Sequence, residues 1–227
     1  NHPNVAPFVS RRLIQHLVES DPTPEYVGRV SAIFTQTEGN LGQVVRAILL
    51  DPEARAGDDP AFVMRAEAGK LREPIRYVVG LLRTFDGAIV NPAPVKSLAQ
   101  GMGQNLFFPA SVFSYYSPLY RLPGGQVAPE FQLVSSASAL LRANAVFEII
   151  TKNVNGATTV NLNPFLPLAS SAPALVDAVD HALLHRRLPP ELKAIIVAAV
   201  ETTSDPVLRT RNAIYLVGTS PLYQIQH

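Results

Sequence analysis

Glu73-Pro74-Ile75-Arg76-Tyr77-Val78-Val79-Gly80-Leu81-Leu82-Arg83-Thr84-Phe85-Asp86-Gly87 reads as one helix with both ends marked. Pro74 suits the first helical turn, where its missing N–H would have had no partner anyway, and Glu73 sits where the helix dipole favours negative charge. Ile75, Val78, Val79, Leu81, Leu82 and Phe85 fall on one face at helical spacing. Asp86-Gly87 ends the run.

The same grammar extends in both directions. Phe8, Val9, Leu13, Ile14, Leu17 and Val18 make an apolar stripe behind Pro7, stopped by Ser20-Asp21-Pro22 because proline disfavours helical geometry in the residue before it. Thr23-Pro24 opens a second helix through Val27, Val30, Ile33 and Phe34, and Leu41 to Leu49 forms a third that ends at Asp51-Pro52. Asp59-Pro60 opens a further element. Asn91-Pro92 starts a helix closed by Gly101 and Gly103, and Pro129 is expected to start a long one running to Ile150. Residues 153–171 read as a loop in which Val160 and Leu162 suit a short strand. Pro173, Pro190 and Pro206 start three more helices. The expectation is an all-α protein, an irregular multi-helix array of about nine helices with long Pro-capped connectors. It forms one domain over residues 1–227, with a soft division near 153–172.

Composition narrows the function classes. The chain has 227 residues, 47% of them hydrophobic and only 16% charged, against a usual ~25%. It therefore packs a core, with much neutral surface left for a partner or for self-assembly. A net charge of +1 with no basic run longer than a pair disfavours nucleic acid. The absence of cysteine excludes disulfides and thiolate chemistry, and no apolar run approaches the ~20 residues of a membrane span.

Phe107, Phe108, Phe113, Tyr115, Tyr116 and Tyr120 place six of the 17 aromatic residues within 14 positions. Such rings suit a protein or glycan surface, since they offer large contact area at low entropy cost. Phe107, Phe108, Tyr115, Tyr116 and Tyr120, with Arg121 at the rim, are the candidate binding residues. The competing reading has the rings pinning a connector to the core. Arg72 and Glu73 are read as a structural ion pair rather than an anion site.

Asp177, His181 and His185 share a helix face at a spacing that can hold zinc. They lack the glutamate of a zinc-protease motif, so a solvated face is preferred and no metal site is assigned. Gly101-Met102-Gly103-Gln104-Asn105 lacks the lysine of a phosphate loop and reads as a helix terminator. Ser111 and Ser117 have no neighbouring histidine in sequence, although His2 could approach in space, and Glu130 and Glu148 read as ordinary helix-surface acids. No cofactor is expected.

Six ordered segments resemble one bacterial family, domain of unknown function 1800. They are His2-Pro3-Asn4-Val5-Ala6-Pro7-Phe8 with Arg11-Arg12-Leu13-Ile14-Gln15; Val45 to Arg55; Gly69-Lys70-Leu71-Arg72-Glu73-Pro74; Phe108 to Pro118; Ala128-Pro129-Glu130-Phe131-Gln132; and Ser220 to Gln226. The resemblance implies a mostly helical bacterial protein and sets this chain against the C-terminal half of such a protein. It also implies export, so an extracytoplasmic location in the periplasm, at the envelope or outside the cell. An exported protein of the family called domain of unknown function 1501 is the implied candidate partner. It supplies no catalytic residues. Together these readings favour a structural or interaction domain that binds a protein or glycan. The alternative is an exported hydrolase of polysaccharide or polyester whose active site is completed by a missing N-terminal half.

Overall fold

The computed structural model describes residues 2–59 and 69–226. Those residues form ten α-helices: α1 Val5–Leu17, α2 Pro24–Gln36, α3 Leu41–Leu50, α4 Pro74–Thr84, α5 Pro92–Gly101, α6 Ser136–Gly156, α7 Ala172–Leu184, α8 Pro190–Glu201, α9 Pro206–Thr219 and the single turn α10 Pro221–Gln224. Among the described residues, strand is confined to Lys70–Leu71 and Ile225–Gln226. The protein is all-α, as the periodicity predicts. The element expected to open at Asp59-Pro60 lies outside the described residues.

Seven of these helices carry proline at one of their first two positions: α2, α4, α5, α7, α8, α9 and α10. Asx and hydroxyl side chains cap several of the orphan N–H groups. Thr23 accepts from Tyr26 N–H, Asn91 from Ala93 N–H, Ser171 from Ala174 N–H and Asp205 from Leu208 N–H.

The chain groups into two compact units. The first comprises residues 1–71, 116–132 and 226–227. Here α1, α2 and α3 pack pairwise around Ile14, Tyr26, Val30, Val44 and Ile48. The buried Tyr26 hydroxyl donates to Ile48 O at 2.7 Å, closing the end of α3. Arg29 on α2 grips Asp51 with two hydrogen bonds of 2.7 Å, a fork that matches both carboxylate oxygens. Glu53 accepts from the Thr23 backbone and hydroxyl, which ties the start of α2 to the segment after α3.

The second unit comprises residues 72–115 and 133–225. Its core is larger, with Tyr77, Leu81, Phe85, Val146, Ile149, Leu175, Val179, Ile196, Ile214 and Val217 among its buried members. α9 packs on α6, α7 and α8, while α4 packs on α5, α6 and α7. Gly87 is required here by close approach: a Cβ would lie 2.5 Å from Thr159 O and 2.8 Å from Leu82 O.

Two local expectations are corrected. Pro129 opens only a 3-10 turn, Pro129–Leu133, and the long helix begins at Ser136 behind a capping box made by Ser135 and Ser138. The reciprocal hydroxyl bonds supply the donors and acceptors a helix start needs, and they outrank proline as the boundary. Val160 and Leu162 form no strand; they lie half-buried against the core. The backbone before them turns through left-handed Asn153, Val154 and Asn155 (φ of 50°, 48° and 55°), which ends the right-handed run of α6. Ala157 O then accepts from both Val90 N–H and Asn91 N–H, fixing this turn to the start of α5.

Candidate functional site

The aromatic segment divides by role. Ser111 and Ser114 exchange both backbone hydrogen bonds, at 3.3 and 3.1 Å, and Ser111 Oγ accepts from Phe113 N–H at 3.1 Å. These bonds close a tight turn whose tip is Val112-Phe113. Phe107 adopts φ of 69°, with its N–H donating to Tyr115 Oη at 3.1 Å, and Phe108 N–H donates to Asn105 O. The backbone is thus held by polar bonds while the apolar side chains face water. Phe107 is 88% exposed, Phe108 66%, Val112 95% and Phe113 45%. Lys96 Nζ lies 5.1 Å from the Phe108 ring centre, a cation beside the patch.

The tyrosines do different work. Tyr115 is half-buried and its hydroxyl holds the loop. Tyr116 is buried. Tyr120, half-buried in the first unit, bonds through its backbone to Ser117 and Ala128, and Arg121 Nη1 donates to Gly125 O across its own turn. Tyr115 thus ties the loop to itself and Tyr116 is buried, while the phenylalanines with Val112 carry the exposed apolar surface. Val112 is the residue that an aromatic count misses. Its signal was its position between two serines that can pair.

Arg72 lays its guanidinium 4.3 Å from the Tyr223 ring centre, and its carbonyl accepts from Arg142 at 2.9 Å. Glu73 Oε2 accepts from Gln104 Nε2 at 2.5 Å, while Gln104 Oε1 accepts from Ile75 N–H at 2.9 Å. Gln104, read only as part of a helix terminator, therefore caps α4 from a distant stretch of chain. α5 does end at Gly101, with Gly103 at φ of 94°.

Lys70 and Glu130 correct the surface reading of Glu130. Both are buried, with Nζ to Oε1 at 3.0 Å. Lys70 Nζ also donates to Gln15 O at 2.7 Å near the end of α1, and Glu130 Oε2 accepts from Ser20 Oγ at 2.7 Å. An ammonium at helix-terminal carbonyls is favoured electrostatically, and the carboxylate balances its charge. Close by in sequence, Glu19 is pushed up to about 8, first by burial and then by the neighbouring carboxylates of Glu53, Asp21 and Asp51. Glu148 pairs with Lys152 at 2.9 Å on the surface, as expected of an (i, i+4) pair.

A cleft of about 630 Å³ in the second unit is lined by Asp177, Asp180, His181, Arg186, Leu188 and Lys193, among others. Asp177 pairs with Lys193. Asp180 is buried, which pushes its carboxyl up, and it accepts from Leu188 N–H at 3.1 Å. His185 caps α7 in the left-handed conformation. Among the described residues, no three His, Asp or Glu side chains gather as metal ligands do.

The family model described as Protein of unknown function (DUF1800) matches residues 1–225. The chain belongs to that family. Neither a curated protein nor a solved structure matches it. The buried Lys70–Glu130 pair joins two of the DUF1800-like segments, and Arg29–Asp51 anchors a third, so these three segments help to build the first unit. Among the described residues, no helix is long and apolar enough to cross a membrane.

Proposed function

We propose that this DUF1800 domain is an exported interaction module that docks a protein partner through Phe107, Phe108, Val112 and Phe113. The observation that carries the reading is the exposure of these four apolar side chains, 45% to 95%, on a loop whose backbone is hydrogen-bonded at Phe107, Phe108, Ser111, Phe113 and Ser114. Exposed apolar side chains clustered on a polar-bonded loop mark a recognition surface, because leaving them in water forfeits ~1.5–3 kcal/mol for each large side chain. A protein suits the surface better than a glycan. Sugar recognition uses rings with polar edges, whereas the exposed rings of this loop, Phe107, Phe108 and Phe113, carry none. The candidate partner is an exported protein of the family called domain of unknown function 1501.

The hydrolase alternative calls for a concave site that joins a carboxylate or histidine to the aromatic segment. The cleft holding Asp177, Asp180 and His181 has none of that segment's residues in its lining, which favours docking over hydrolysis. The test is binding of the purified partner candidate to wild type and to Phe107→Ser/Phe113→Ser. Loss of aromatic anchors is expected to weaken binding by about 30-fold or more. Unchanged affinity in a folded double variant would refute docking through this loop.

A further inference from the structure

The cleft of the second unit lies at the end of α7, and that end departs from the usual grammar of helix stops. His185 and Arg186 follow one another at φ of 55° and 65°. Glycine is the residue that takes such left-handed positions freely, because a Cβ there crowds the backbone. Here two side chains are held in this conformation by one buried acid. Asp180 O accepts from His185 N–H and, at 3.4 Å, from Arg186 N–H, while Asp180 Oδ1 accepts from Leu188 N–H at 3.1 Å. These bonds fix the turn that sets Arg186 and Leu188 in the lining of the cleft.

The charged groups of the lining sort by partner. Lys193 pairs with Asp177. Asp180 is buried and its carboxylate is engaged by the turn. Arg186 and His181 are both exposed, and among the described residues neither forms an ion pair. Ala178, Leu188 and Pro190 give the same cleft an apolar wall. Its volume of about 630 Å³ is that of small-molecule sites. A backbone conformation that disfavours side chains, kept where an unpaired guanidinium meets a cleft of this size, is the kind of outlier that points to a function.

We propose that this cleft binds a small organic monocarboxylate, with Arg186 as its clamp and its apolar body against Ala178, Leu188 and Pro190. The planar fork of arginine matches a carboxylate with two parallel hydrogen bonds, and His181 offers a further ring N–H in the same lining. The formal charges of Arg186 and Lys193 are matched by those of Asp177 and Asp180. The lining therefore has no surplus positive charge to offset the dehydration of a second negative charge, which favours a monocarboxylate over a phosphate dianion. The site is separate from the apolar loop and does not depend on the docking proposed for it.

NMR titration of the whole chain tests the site, with sodium butyrate as the probe and butyramide and sodium phosphate as controls at equal ionic strength. Butyrate should shift the Arg186 and Leu188 amide signals saturably, and butyramide, which has the shape without the charge, should not. Arg186→Gly separates binding from support: it removes the guanidinium and relieves the left-handed residue. Its Tm should hold level or rise while its affinity for butyrate falls at least about tenfold, as loss of a charged hydrogen bond requires. Arg186→Gln, which keeps the backbone conformation, should lose affinity by a similar factor. Absence of a saturable shift overturns the proposal, and so does an equal response to butyramide or phosphate. Unchanged butyrate affinity in either variant overturns it as well, and a lowered Tm in Arg186→Gly does the same by making the guanidinium a structural group.

Discussion

Among the described residues, the main apolar cluster of the first unit has five buried members and that of the second has 27, and the two treat buried charge in different ways. In the first, the buried Lys70 meets Glu130, and Arg29 reaches from the surface to the buried Asp51. In the second, Arg72 and Arg142 lie on tyrosine rings, and Tyr77 and Tyr223 themselves meet at 5.4 Å between ring centres. A thin three-helix layer buries little apolar surface, so its definition falls to polar bonds between chain segments far apart in sequence. The thicker layer has aromatic area to spare and uses it to cover guanidiniums.

The largest effect expected from this contrast is on Lys70. Lys70→Met strands Glu130 without its cation and leaves the α1 carbonyls uncapped, which should cost about 3–5 kcal/mol. Hydrogen exchange should show protection lost in α1–α3 before α6 or α9. A cost below about 1 kcal/mol would break the contrast, since an exposed pair is worth that little. Next comes Ile149→Ala, which deletes a fully buried side chain from the larger core. It should cost about 2–5 kcal/mol by denaturant melting, with protection lost first in α4, α6 and α9.

Glu19 sharpens the comparison through pH. Its carboxyl holds a proton in the fold up to about 8, whereas the unfolded chain releases it near ~4.3. The folded state thus binds more protons between those values, and stability falls as pH rises through that window. Glu19→Gln keeps the neutral form at every pH. Its melting temperature should vary less than that of the wild type between pH 5 and 9, and at pH 8 it should gain about 1–2 kcal/mol, discounted for partial exposure. A parallel pH dependence in both proteins would remove the carboxylate cluster from the account. The smallest effect belongs to the loop tip. Phe113→Ser should change stability by less than about 0.5 kcal/mol, as a surface change does, and a larger loss would mean that the ring packs rather than docks.

Much of the fold was legible because helix starts are written locally. Thr23-Pro24, Asn91-Pro92 and Asp205-Pro206 each place a cap and a proline where the structure begins a helix. The boundary at Ser136 was hidden because Pro129 is the stronger local mark and the Ser135–Ser138 box lacks its usual acidic partner. Pairings across long separations were not legible at all. Nothing near Glu130 announces a lysine at position 70, and nothing near Gln104 announces Ile75 N–H. The aromatic run identified the loop, yet ring counting could not tell that hydroxyl bonding would turn Tyr115 inward and leave the phenylalanines in water.

The Lys70–Glu130 bond has a consequence for biosynthesis. A ribosome releases α1, α2, α3 and Lys70 well before the stretch that contains Glu130 and Ser20's partner oxygen. During that interval the ammonium has carbonyls to cap and no acid to meet, so the nascent layer can gather but not lock. A stop codon anywhere between the two positions would release a chain whose opening helices lack their counter-ion, marking it for proteolysis however well those helices form.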